Sequence, residues 1–155
     1  MREFPEYYSG GSPDFSNAEA MPGIKEVLPM LHSTYELYVA SNWSGPFADR
    51  LPEALEQVKI RHYFRDVFTA RDLGVTKPEP RFYREILKRI NAQPHEVIMV
   101  GDDLLNDVIA AKQAGLFAVL YTTFSPYEMK EGGDAVIYSI QALPKIISDI
   151  AQKQK

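Results

Sequence analysis

Short apolar runs alternate along this chain with stretches whose apolar residues recur at helical spacing. The clearest example covers residues 97–116. Val97-Ile98-Met99-Val100 reads as a buried strand and Gly101 as a tight turn. A helix follows, with Leu104, Leu105, Val108, Ile109 and Ala111 on its apolar face. Gly115 stands where a helix stop belongs. A second apolar run begins at once, from Leu116 to Tyr121. Strand, helix, strand is the repeating unit of a parallel sheet.

The same alternation runs through the rest of the chain. The spacing of Ile24, Val27, Leu28 and Leu31 predicts a helix over 24–31, interrupted by Pro29. Tyr35, Leu37, Tyr38 and Val39 predict a strand over 35–40. A loop at Trp43-Ser44-Gly45-Pro46 leads to a helix over 47–57, and Val67-Phe68-Thr69 is a short strand. Pro78 and Pro80 set up a helix start. That helix turns Phe82, Tyr83, Ile86, Leu87 and Ile90 inward and ends at Asn91. A last strand is expected at 135–137, and Ile140, Leu143, Ile146, Ile147 and Ile150 mark a closing helix. The fold expected is α/β: an open three-layer α/β/α, Rossmann-like, mostly parallel sheet with helices on both faces. Residues 1–20 differ. Gly10, Gly11, Ser12, Pro13, Ser16 and Asn17 form turns and loops, so an irregular arm is expected there, ahead of a core domain over 21–155.

Ligands in such sheets bind beyond the carboxyl ends of the strands. Three places fall there: Ser41-Asn42, Lys77, and Asp102 with Asp103 and Asp107. Each has an ordinary reading, as a turn or helix cap for the serine and aspartates and as a surface cation for the lysine. Taken together they suggest more. Three carboxylates within six residues repel one another unless a cation offsets them. Oxygen ligands suit a hard cation such as Mg²⁺. A hydroxyl, a lysine and a metal around one point meet the electrostatic need of phosphoryl transfer.

In these residues the chain resembles the haloacid dehalogenase superfamily, mostly Mg²⁺-dependent phosphatases, in the branch whose cap lies between the first and second motifs. The second motif is Ser41 of LYVASN after MPGIKEVLPML. The third is Lys77 of TKPEPRFYREIL. The fourth is VGDDLLND, followed by AAKQAGL. The resemblance covers about residues 21–150. It implies that Ser41, Asn42 and Lys77 bind phosphate, that Lys77 and Asp107 act in catalysis, and that Asp102 and Asp107 hold Mg²⁺, Asp107 through water or by positioning Lys77. Asp103 is expected to cap the helix. The implied activity is hydrolysis of a small phosphate monoester. The arm at 1–20 would be a remnant of the cap.

One motif of that family is absent. An Asp-x-Asp loop after an apolar strand should precede Ser41, its first aspartate the nucleophile. Asp14 is the only aspartate before Ser41 and has no partner two residues on. No aspartyl-phosphate forms without a nucleophile, and Mg²⁺ should bind weakly or not at all. The strand that carries this motif is central in the family's sheet. Its loss would leave a gap of about 10 Å, closed by the neighbouring strands, by residues 1–20 with Phe4 to Tyr8 as the local candidate, or by another chain. The readings are therefore a phosphatase core whose nucleophile lies outside these residues, inactive by itself; a non-catalytic pseudo-enzyme serving as a binding or structural module; or a different chemistry using Asp102 or Asp103.

Composition narrows the partners. The net charge is −4, and 45% of residues are apolar and 25% charged. That charge gives no basic field for nucleic acid or an anionic membrane. No apolar run approaches the ~20 residues of a membrane span. The absence of cysteine fits a reducing compartment, and a cytoplasmic protein is expected. A small phosphorylated substrate is expected as partner, with a homodimer or a partner chain filling the missing strand position.

Overall fold

The computed structural model describes residues 12–123 and 133–154. Five short strands carry the fold: β1 (Tyr38–Ser41), β2 (Asp66–Thr69), β3 (Ile98–Gly101), β4 (Phe117–Tyr121) and β5 (Ala135–Ile137). Helices α1 (Ile24–His32), α2 (Leu51–Gln57), α3 (Ala70–Leu73), α4 (Pro80–Ile90), α5 (Ala110–Gln113) and α6 (Leu143–Gln152) connect and cover them. Every strand pairing among the described residues is parallel, as expected for strands joined by helical crossovers.

Alternation along β4 shows how the layers form. Ala118 and Leu120 face one way, into a core with Phe68, Phe82, Tyr83, Ile86, Leu87, Val108 and Ala111. Val119 faces the other way, into a core with Val27, Leu31, Ile137, Leu143, Ile147 and Ile150. Helices α3, α4 and α5 thus cover one face and α1 and α6 the other. This is the three-layer α/β/α arrangement. Pro29 sits on the exposed side of α1, which runs on through it.

The sheet is divided. β1 pairs with β2, β3 pairs with β4 and β4 with β5; β1 and β3 pair with each other nowhere. Yet both belong to one body. Tyr38, Ala40 and Met99 pack on the first core, and Leu37, Ile98 and Val100 on the second. Backbone direction identifies the open edges. Leu37 O accepts from Arg65 N beside β2, so the carbonyls of Tyr38 and Ala40 turn to the opposite edge of β1. Val97 O accepts from Phe117 N beside β4, so those of Ile98 and Val100 turn away from β4. All residues of β1 and β3 are half-buried, whereas Ala118, Val119 and Leu120 are 0–1% exposed. The neighbouring strands therefore do not close up. Phe4 to Tyr8 lies outside the described residues.

Several elements differ in detail from expectation. The 47–57 helix is a 3-10 turn at Ala48–Arg50 followed by α2. Helix α3 was not expected; a capping box between Thr69 and Asp72 starts it. After Gly101 the chain makes a π-helical segment, Leu104–Ile109, before α5. Asp103 O accepts from both Asp107 N, at 2.9 Å, and Val108 N, at 3.3 Å. This wider turn keeps Val108 inside and rotates Leu105 and Ile109 outward, to 54% and 38% exposure. Those two leave the apolar face that helical spacing assigns them.

Of the arm, residues 12–20 lie among those described. Arg50 donates to Ser12 Oγ and, at 3.0 Å, to Pro13 O, and Phe15 meets the Trp43 ring edge-on at 6.3 Å. The arm thus rests on the start of α2 and the loop after β1.

Candidate active site

The carboxyl ends of β1 and β3 are joined by one side chain. Lys77 Nζ donates to Ala40 O on the open edge of β1, at 3.0 Å, and to Asp107 Oδ1, at 2.6 Å. Lysine is normally a surface residue, but Lys77 is 8% exposed and Asp107 6%. A buried ion pair is tolerated when further hydrogen bonds satisfy its remaining groups. Here Asp107 Oδ2 accepts from Asp103 N at 3.2 Å, and the Phe82 ring centroid lies 5.5 Å from Lys77 Nζ.

The backbone is shaped to hold this pair. Asn42 clamps Lys77 with both ends of its amide: Oδ1 accepts from Lys77 N at 2.7 Å and Nδ2 donates to Lys77 O at 3.2 Å. Gly101 lets Asp107 approach the end of β3, because a Cβ there would lie 2.2 Å from Asp107 Oδ2. From α4, Tyr83 Oη donates to Asn106 O at 2.8 Å, with Asp107 O at 3.4 Å beside it. Burial raises the Tyr83 pKa, and the charges of Asp107 and Asp103 raise it further, so the phenol stays a protonated donor.

The three aspartates have three different surroundings. Asp103 is the N-cap: Oδ1 accepts from Asn106 N at 2.8 Å, and Oδ2 from Asn106 Nδ2 at 2.9 Å. Asp107 is held by Lys77. Asp102 follows β3 directly, is exposed, and bonds to none of the described residues. The three carboxylates do not converge: among the described residues no three Asp, Glu, His or Cys side chains gather as a metal cage. Ser41 Oγ accepts from Trp43 N at 3.2 Å.

Donor counting shows what remains for a ligand. An ammonium has three N–H donors. Two of those on Lys77 are taken by Ala40 O and Asp107, which leaves one. The Ser41 hydroxyl accepts from Trp43 and keeps its own proton to donate. Asn42, expected at the phosphate, gives Oδ1 and one N–H to Lys77 and keeps a second N–H. Mg²⁺ takes hard oxygen ligands, often one or two carboxylates completed by water and phosphate. Asp102 fits in kind. Asp107 and Asp103 each have both oxygens in hydrogen bonds, so of the three aspartates Asp102 alone is unengaged.

Residues 2–121 match the model of the family described as haloacid dehalogenase-like hydrolase. The chain belongs to this family. The match takes in part of the arm, which the motifs alone do not reach. The chain is 33% identical over 141 residues to haloacid dehalogenase-like hydrolase domain-containing protein 3 of Xenopus laevis, covering 86% of this chain and 56% of that protein. It is 32% identical over 142 residues to a glyceraldehyde 3-phosphate phosphatase of Pyrococcus furiosus, with the same coverage of 86% and 56%. The crystal structure of a HAD phosphatase from Thermococcus onnurineus superposes with a TM-score of 0.73 at 30% identity, over 83% of this chain and 58% of that one. The chain thus spans little more than half the length of these relatives. Its haloacid dehalogenase-like core supplies the Lys77–Asp107 pair; no Asp-x-Asp lies ahead of Ser41.

Sequence reasoning missed Tyr83, Phe82 and Gly101 as parts of the site. Helical spacing places both aromatics in the core, where they are. A buried tyrosine needs a partner for its hydroxyl, and that need is the signal that singles out Tyr83.

Proposed function

We propose that this chain forms the phosphate-binding part of a Mg²⁺-dependent phosphate monoester hydrolase acting on a small molecule, and that the nucleophilic carboxylate comes from a segment outside these residues. The observation that carries this reading is the Lys77 ammonium. It is buried at the junction of two strand ends, held by two acceptors, with one donor left to point at an anion. Ser41 Oγ donates to a second phosphate oxygen. Asp107 and Asn42 hold Lys77 in place, one by charge and the other by its main chain. Asp102 holds Mg²⁺ together with ligands from the outside segment. When bound there, the ion offsets charge on the phosphate oxygens.

The unpaired carbonyls on the open edges of β1 and β3 would be satisfied by an added strand ending beside Lys77, where the nucleophile is needed. A second copy pairing at the same edges is the alternative occupant. That Asp102 alone of the three aspartates is unengaged favours a second reading for the chain by itself, a non-catalytic phosphate-binding module. No helix among the described residues is long and apolar enough to cross a membrane, and a cytoplasmic phosphate ester is the substrate proposed.

Titration calorimetry with inorganic phosphate tests the anion site. Binding that is lost in Lys77→Met and kept in Lys112→Met supports the reading. Binding that Lys77→Met leaves unchanged refutes it.

A further inference from the structure

We infer that Tyr83 is a positioning residue for the Lys77–Asp107 pair, acting through its hydroxyl on the backbone that carries Asp107. This rests on the proposed anion site and gives a role to a residue to which the sequence motifs assign none.

Two neighbouring residues of α4 hold the two partners of one ion pair. The Phe82 ring lies under the Lys77 ammonium, 5.5 Å away. Tyr83 Oη reaches the other partner's backbone, donating to Asn106 O at 2.8 Å with Asp107 O at 3.4 Å. The two rings meet edge-on at 5.3 Å, so a shift of one moves the other. Tyr83 is 2% exposed and its only polar atom is aimed at this turn. The turn needs the help. Leu104–Ile109 is π-helical and six residues long, a wide register that occurs mostly as single-turn bulges. Its N-cap, the exposed Asp103, bonds to half-buried Asn106. Tyr83, buried, fixes the next peptide, Asn106–Asp107, from the core. Packing asks only for a ring, which phenylalanine supplies. The hydroxyl is needed for the placement of Asn106 and Asp107, and through Asp107 for the direction of the Lys77 ammonium.

Tyr83→Phe isolates that hydroxyl and keeps the ring, so the variant folds. Two readouts are compared with wild type: amide hydrogen exchange at Asp107 and Val108, and the ¹⁵N signal of the Lys77 ammonium, which burial shields from exchange. Loss of one hydrogen bond corresponds to about tenfold in a local opening equilibrium. The expected result is about tenfold faster exchange at Asp107 and Val108, with a broadened Lys77 signal and unchanged exchange in β4. Phosphate affinity falls several-fold with them. Unchanged exchange and an unchanged Lys77 signal overturn the inference. Faster exchange spread equally over β4 also overturns it, since that is loss of general packing. If wild type binds no phosphate, the anion-site reading fails, while the exchange and ammonium readouts still decide the role of Tyr83.

Discussion

Lys77 Nζ lies 2.6 Å from Asp107 Oδ1, and the two side chains are 7% and 9% exposed. Thirty residues of sequence separate them. This pair ties the loop between α3 and α4 to the turn after β3, across the place where the sheet divides. Its energetics follow from burial. Removing one partner leaves the other charged and unpaired inside the protein, at a cost of about 3–5 kcal/mol. Asp107→Ala and Lys77→Met are each expected to lower the urea unfolding free energy by that amount. The double variant Lys77→Met/Asp107→Leu should lose far less than the sum, because no charge is left stranded. Additive losses would show that the two residues act independently.

Asp103 sits four residues before Asp107 and should behave differently. Its carboxylate is exposed and caps the π-helical turn. Asp103→Ala is expected to cost about 1 kcal/mol, the usual worth of an N-cap, and to leave phosphate affinity nearly unchanged. Parallel denaturation and calorimetry of the two alanine variants check the contrast.

Gly101→Ala places a methyl 2.2 Å from Asp107 Oδ2. The carboxylate must move, and Lys77 with it. A loss of about 1–3 kcal/mol is expected, as for other overpacked sites, with weakened phosphate binding. A variant that binds phosphate like wild type would show that the position of Asp107 does not matter to the site.

Acid should weaken the fold through exposed carboxylates. Hydrogen bonding from Arg50 lowers the Glu53 pKa below its ordinary 4.5, and hydrogen bonding from Lys88 does the same for Glu85. Hydrogen bonds from Ser16 lower Asp14 below 3.8. A carboxyl whose folded pKa is depressed binds protons more readily when unfolded. Its contribution is therefore present above the unfolded value and lost as pH falls through the folded one. Urea midpoints should decline as pH drops below about 4.5, and the decline should be shallower in Arg50→Ala. An identical pH profile in that variant would show that the Glu53 contact does not contribute.

Much of this was legible in the sequence, for reasons that differ by element. The apolar alternation of 97–100 and 116–121 locates β3 and β4, because buried parallel strands read as continuous apolar runs. Asn91 ends α4 in a left-handed conformation, φ 53°, which asparagine tolerates. Ser41, Lys77, Asp102 and Asp107 stand out as polar residues at strand ends. Their individual surroundings were not legible. The π-helical turn is set by Asp103 O accepting two amides at once, and no spacing rule for a regular helix anticipates it. It turns Leu105 and Ile109 to the surface. The clamp of Asn42 on the Lys77 backbone joins residues 35 apart in sequence, which only the packed fold brings together.

As proposed above, these residues form an anion site that awaits a nucleophile. The most direct measurement is Mg²⁺-dependent hydrolysis of p-nitrophenyl phosphate by the purified chain, with and without an added segment carrying an apolar strand followed by Asp-x-Asp. The expected result is no turnover by the chain alone, turnover with the segment, and its loss when Lys77 is replaced by Met. Turnover by the chain alone that disappears in Asp102→Asn, or a segment that binds between β1 and β3 and restores nothing, would contradict it.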